Sequence, residues 1–262
     1  MNYKLANFSL SFFLSRSLFS LLGLSLLIQL DSSMAIVDIV IGTIFGILFL
    51  KTLPTLPQMM QQILGFLLAL VGTILFAFTL HLSISKDTSM VILLAIILVA
   101  TFYFSKSRHE QIGYFAGSLF LVTLILTVIT WIGLIPNIHI EFLSGFQTDS
   151  ILFGSILYFL MSTLPLLLLK KEERNITAYV SASLLHLITT LFVFFTLGMT
   201  LSSFYPLPNF VMLSEIEYLE VIRRIDSFLF FPDLCAGVIL LTYSYHTVRG
   251  VMQTSNYPKT QV

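Results

Sequence analysis

The chain has very little with which to build a water-facing surface. Only 10% of its 262 residues are charged, thirteen Lys and Arg against thirteen Asp and Glu, where ordinary soluble domains carry about 25%. A single cysteine, Cys235, excludes an internal disulfide and a multi-cysteine metal site. The five histidines, at 81, 109, 139, 186 and 246, lie in five separate segments and form no zinc-binding i, i+4 pair. No Gly-x-x-x-x-Gly-Lys-Ser/Thr loop occurs, so ATP hydrolysis has no motif behind it. The formal net charge is zero, which leaves no general field to attract nucleic acid. These absences argue against an enzyme and against a bound metal or cofactor.

What is present is apolar. Hydrophobic residues make up 57% of the chain, the mean hydropathy is +0.97, and 25 residues are Phe. That excess needs lipid as its solvent, so the fold class is an all-α membrane protein. A lipid-spanning helix takes about 20 mostly apolar residues, and the chain offers eight such segments. They cover 10–30, 34–50, 62–82, 89–104, 112–135, 150–169, 177–200 and 226–248. Arg16 interrupts the first, no small-x-small cleavage site follows Leu27, and further spans come after it. It therefore reads as an uncleaved helix and not as a signal peptide. No linker or second soluble domain is visible, so residues 1–262 form a single transmembrane domain.

Short loops between most spans require antiparallel neighbours. Orientation follows the basic residues. With a cytoplasmic N-terminus, the inner set is Lys4, Arg16, Lys51, Lys106, Arg108, Lys170, Lys171, Arg174, Arg249 and Lys259, and the outer set is Lys86, Arg223 and Arg224. Ten against three places both termini in the cytoplasm of a cell-membrane protein. The stretch 214–224 alternates polar and apolar residues at helical spacing and reads as an interfacial helix leading into the last span.

Charges within spans are the first functional candidates. Arg16 lies about two turns into the first helix, from where it can snorkel to the cytoplasmic face. Asp38, near the outer end of the second, is expected in interfacial water. Asp226 opens the last span after Arg223 and Arg224, as a helix cap or ion-pair partner. Asp233 follows Pro232, which is expected to kink that helix and free a carbonyl. Asp226 and Asp233 lie on nearly one face, which suits an ion or proton relay, while a polar packing contact suits Asp233 equally well. His186 reads as a hydrogen-bonded packing residue. Gly42-x-x-x-Gly46 and Gly113-x-x-x-Gly117 are spacings for close helix approach. Gly23 and Ser25 in the first helix, and Gly154, Ser155, Ser162 and Pro165 in the sixth, mark the two most easily interrupted helices. Interrupted helices expose backbone groups that transporters use to bind solutes.

Several segments, in order, resemble the endospore germination permease family, the B-type membrane subunits of nutrient germinant receptors within the amino-acid/polyamine/organocation superfamily. They are the Ser/Leu-rich first helix with Gly23, the basic turn Phe104-Ser-Lys-Ser-Arg108-His-Glu-Gln-Ile-Gly113, the segment Ile135-Pro-Asn-Ile-His-Ile-Glu141, the pair Tyr205-Pro, and Leu219-Glu-Val-Ile-Arg-Arg-Ile-Asp226. Arg224 and Asp226 stand where that family has Arg and Glu. The resemblance implies a LeuT-type inverted-repeat fold lacking the last two helices, with a first repeat over about 8–135 and an incomplete second over about 150–250. With the small residues of the two interruptible helices, it implies a nutrient-binding site for an amino acid at Gly23, Ser25, Gly154 and Ser155; the relay of Asp226 and Asp233 is the reading of the residues alone. The resemblance also implies other germinant-receptor subunits as partners. A proton- or ion-coupled amino-acid transporter is the alternative, and a non-transporting assembly subunit is the alternative of another class.

Overall fold

A computed structural model describes residues 3–31, 34–83, 89–107, 109–143, 151–214 and 230–254. Among them every regular element is helical. Helix α1 runs Tyr3–Leu18, passes through a π-helical turn at Phe19–Gly23 and ends as Leu24–Asp31. Then come α2 (Ala35–Thr52), α3 (Gln58–Ser83), α4 (Met90–Phe104), α5 (His109–Leu134), α6 (Ile151–Thr163) and α7 (Ile176–Leu197). Two short helices, α8 (Met199–Ser202) and α9 (Pro208–Ser214), precede α10 (Phe231–Thr254). Each of the eight expected spans is therefore met by a helix. Asp226, Arg223, Arg224 and all but the first residue of the expected interfacial helix lie outside the described residues.

Among the described residues five helices are long and apolar enough to cross a membrane: Lys4–Leu30, Ala35–Thr52, Gln58–Ser83, His109–Asn137 and Ile176–Leu197. Met90–Phe104 and Phe153–Leu168 are apolar but shorter. Helix α10, expected as the eighth span, does not join them. Its second half is polar, carrying Thr242, Tyr243, Ser244, Tyr245, His246 and Thr247, and neighbouring helices bury Thr242, Tyr243 and Ser244.

Helix α1 occupies the centre. Its spanning window is 89% buried, against 22–44% for the other four, and it packs on α5, α6, α7 and α10. Its sequence explains this placement. Ser9, Ser11, Ser15, Ser17 and Ser20 are all buried, and small residues let neighbouring backbones approach. On one side of it α2 packs on α6 and α7; on the other α10 packs on α3, α4 and α5. The outward faces of α3, α4 and α5 expose Ile63, Phe66, Val91, Val99, Leu121 and Ile125, the apolar coat that lipid requires.

Local chemistry sets the element ends. Asn175 caps α7, its side chain accepting from Ala178 N at 3.0 Å. Gly198 closes that helix at φ 79°, a conformation that favours glycine. In α6 the Ser162 and Thr163 hydroxyls donate to the carbonyls of Tyr158 and Phe159 at 2.8 and 2.6 Å. Such back-bonding bends a helix, and Pro165 then supplies no N–H, so the chain tightens into a 3-10 turn at Leu164–Leu168. Helix 6 is thus interrupted about ten residues beyond the expected Gly154–Ser155, which sit within regular helix.

The ends of α2, α4, α6 and α10 meet at one pole of the bundle. Arg174 ties two of these loops together, donating from Nη1 to Leu53 O at 3.1 Å and from Nε to Leu169 O at 3.2 Å. Lys171 N donates to Thr55 Oγ1 at 2.9 Å, and His246 Nδ1 pairs with Ser105 O at 3.2 Å.

Candidate functional site

Two polar centres lie inside the bundle. The first joins α1, α9 and α10. Arg16 Nη2 donates to Asp233 Oδ1 in an ion pair, with the side chains only 6% and 12% exposed. Asn209 Nδ2 donates to the other carboxylate oxygen at 2.9 Å, and Arg16 Nε donates to Ser20 Oγ at 3.1 Å. Among the described residues Arg16 Nη1 is buried with no acceptor. Arg16 therefore does not snorkel: α5, α6, α7 and α10 pack on its helix, and its side chain is buried against Asp233. Pro232 does not kink α10 either. The helix starts at Phe231, so the proline falls in the first turn, where a missing N–H costs nothing. Asp233 occupies the same turn, where the helix dipole favours a carboxylate.

The π turn follows directly. Leu24 N–H donates to Phe19 O, five residues back, and Thr79 of α3 donates its hydroxyl to Leu21 O at 3.1 Å. A π turn shifts the face presented by everything beyond it, and such turns concentrate at functional positions. A cavity of about 30 Å³ adjoins the ion pair, lined by Thr127, Thr130 and Trp131 of α5, Thr189 of α7, and Asn209 and Met212 of α9, among others. That volume suits one or two waters.

The second centre is a seam between α2, α6 and α7. Asp38 is fully buried, not in interfacial water, and Ser155 Oγ donates to its Oδ1 at 2.7 Å. Gly154 makes the room: a Cβ there would overlap the Asp38 carboxylate. Further along, Tyr158 Oη and His186 Nδ1 are 3.1 Å apart, as are Ser162 Oγ and Tyr179 Oη. Tyr179 Oη also donates to Gly42 O at 3.5 Å. Gly46 admits this contact, since a Cβ there would overlap the Tyr179 hydroxyl, while Gly42 lets the α6 backbone at Ser155 come close. His186 sits in packing as expected, its ring 4.3 Å from that of Phe19 in the π turn.

The expected binding residues are thus divided. Gly154 and Ser155 hold Asp38, while Gly23 packs against Met161, whose Sδ would lie 2.6 Å from an added Cβ. Ser25 is buried and accepts from Gln29 Nε2 at 3.3 Å. These four do not line the cavity beside Asp233, which Arg16, Asn209 and three threonines line instead. The serine run around Arg16 was the available signal, because it marks a helix packed by protein and not by lipid.

A larger polar cavity, of about 380 Å³, opens at the pole where the loops meet. Gln58, Gln61, His109, Glu173, Tyr243 and His246 are among its lining residues. Tyr243 Oη and His109 Nδ1 are 3.2 Å apart, and His109 Nε2 lies 3.6 Å from Glu173 Oε1.

No protein-family model matches the chain, and no curated protein or solved structure is significantly similar to it.

Proposed function

We propose that this chain is a multi-pass membrane protein of the permease type that binds a small zwitterionic nutrient, such as an amino acid, at the Arg16–Asp233–Asn209 centre. The observation that carries this reading is a buried pair of opposite charges from distant helices, bordering a small cavity, with Arg16 also bonded to Ser20 of the π turn. A zwitterion has one group for each partner: its carboxylate for Arg16 and its ammonium for Asp233. The exchange keeps the site neutral and leaves no charge unpaired in a low-dielectric interior. The motifs that resemble germinant-receptor permeases favour service as a receptor subunit, with a second membrane subunit and a lipoprotein as partners. Both termini then face the cytoplasm, and the pole carrying Lys51, Lys106, Lys170, Lys171 and Arg174 is the inner one.

Two observations favour the alternatives. The 380 Å³ cavity falls within the range of small-molecule sites, and Tyr243 on its wall is ten residues along α10 from Asp233, about 15 Å. An inner vestibule so placed suits an ion-coupled transporter. The 30 Å³ beside Asp233 admits an amino acid only if α9 moves, and a pair that never opens suits a non-transporting assembly subunit.

The test is binding of a panel of amino acids to the protein in nanodiscs, by calorimetry, for the parent and for Asp233→Asn. Saturable binding lost in the variant is the expected result. Uptake in proteoliposomes then separates transport from sensing. Equal binding by the parent, Asp233→Asn and Asp233→Leu would remove the ion pair from ligand handling.

A further inference from the structure

A crevice of about 200 Å³ runs between α5 and α7 with α1 as its floor. Phe8 and Phe12 form the floor, and Phe120, Leu124, Val128 and Trp131 form one wall. Aromatic contacts frame both ends. Phe120 meets Phe8 and Phe12 edge-on at 5.5 and 5.1 Å, and Trp131 stacks on Phe192 of α7 at 6.2 Å. Leu124 is 52% and Val128 44% exposed, so the crevice opens on the apolar face that lipid would cover. Its occupant must enter from the bilayer.

The inner end is polar. Thr127 and Trp131 line both this crevice and the small cavity that holds Arg16. Two donors wait along the route. Thr123, 1% exposed and part of the crevice wall, has a hydroxyl without a partner among the described residues. Arg16, 5% exposed, has Nη1 in the same condition. Buried donors left unpaired are costly and call for an acceptor. The charge count selects its kind. Arg16 and Asp233 already cancel, so an anionic or cationic head would remain unpaired in a low-dielectric site.

We propose that the crevice binds an uncharged single-chain amphiphile from the bilayer. Its chain lies along Phe8, Phe12 and Leu124, and a carbonyl or hydroxyl oxygen accepts from Thr123 and Arg16. The inner cavity has the size for one such group. A two-chain phospholipid carries a head group too large for that cavity. The crevice lies outside the solute centre but shares Arg16 with it at its inner end, so the two ligands compete for that side chain, while the chain-binding part of the crevice holds whether or not an amino acid reaches Asp233.

Trp131 is the only tryptophan, so fluorescence reads the crevice directly. The full chain in liposomes, free of any other protein, is titrated with a monoacylglycerol brominated on its chain. The matching ionised fatty acid and a brominated phosphatidylcholine are titrated in parallel. Saturable quenching by the monoacylglycerol is expected, at a half-point at least five-fold below that of either other lipid. Thr123→Val, which keeps the shape and removes the donor, should raise the half-point about five-fold. Ser181→Leu, which fills the crevice from the α7 side, should abolish saturation. Equal, non-saturating quenching by all three lipids would mean that Trp131 merely samples bulk lipid, and would overturn the proposal. A half-point unchanged in both variants would overturn it as well.

Discussion

Removing either partner of the Arg16–Asp233 pair leaves a buried charge with room beside it for no more than one or two waters. Breaking a buried pair in this way costs about 3–5 kcal/mol. The two halves should not cost the same. A carboxyl group can shed its charge by taking a proton, whereas a guanidinium cannot. Arg16→Met, which leaves Asp233 with Asn209 as a remaining donor at 2.9 Å, should therefore fall at the lower end. Asp233→Leu strands a cation whose Nη1 already lacks an acceptor, and should reach the upper end or beyond. The double variant removes both charges and strands only the Asn209 amide, at about 1–3 kcal/mol. The coupling between the two sites should then be at least about 3 kcal/mol, far above the roughly 0.5 kcal/mol within which independent sites add.

The molecule supplies its own reporter for this cycle. Cys235 is the only cysteine, buried at 3% exposure two residues from Asp233. A thiol-reactive fluorophore therefore stays dark until α10 separates from the bundle, and equilibrium unfolding in mixed micelles can be followed through it. The expected order of stability is parent, double variant, Arg16→Met, Asp233→Leu. Single variants that simply add in the double would refute the reasoning. So would an Arg16→Met less stable than Asp233→Leu, because the two side chains would then not share one buried site.

Other expectations follow from the second centre and from orientation. Gly154→Ala drives a methyl group into the Asp38 carboxylate and should destabilise by about 1–3 kcal/mol, read by the same fluorophore. Ser155→Ala withdraws the 2.7 Å donor to Asp38 and should cost about 1.5–3 kcal/mol; a change below 0.5 kcal/mol would show that water replaces it. Gly23→Ala should cost less than Gly154→Ala, because its nearest neighbour is the flexible end of Met161. With Cys235 buried and silent, a cysteine at Glu141 should react with an impermeant reagent from outside and one at Lys171 should not. Outside labelling of Lys171→Cys would reverse the proposed topology.

The helical membrane class was legible because it rests on composition, and lipid tolerates no other use of so many apolar residues. Helix positions were legible for the same reason: each expected segment coincides with a helix, and five of those helices are long and apolar enough to cross a membrane. Burial was not legible. Arg16 and Asp38 look alike in sequence, as single charges near the end of an apolar run, and that position suggests water. Whether water reaches them depends on which helices stand alongside, and hydropathy in a membrane helix carries little of that information, since lipid-facing and protein-facing positions are equally apolar. What does carry it is residue size. The five serines around Arg16, and Gly42, Gly46 and Gly154 around Asp38 and Tyr179, mark where helices come close.

The same logic explains why the polar centres sit where they do. A charge in the bilayer survives only where partners from other helices surround it, and such surroundings form only where small residues allow close packing. Central α1 satisfies both conditions at Arg16, and the junction of α2 with α6 satisfies them at Asp38. Each centre also lies at a departure from regular helix or at a helix start: the π turn after Arg16, the first turn of α10 at Asp233, and the first turn of α2 at Asp38. Free backbone groups and helix dipoles there lower the cost of holding charge. Small-residue runs that coincide with a lone charge are therefore the stronger sequence marker of an intramembrane site, and the glycine-based interruptions sought at Gly154 mark packing instead.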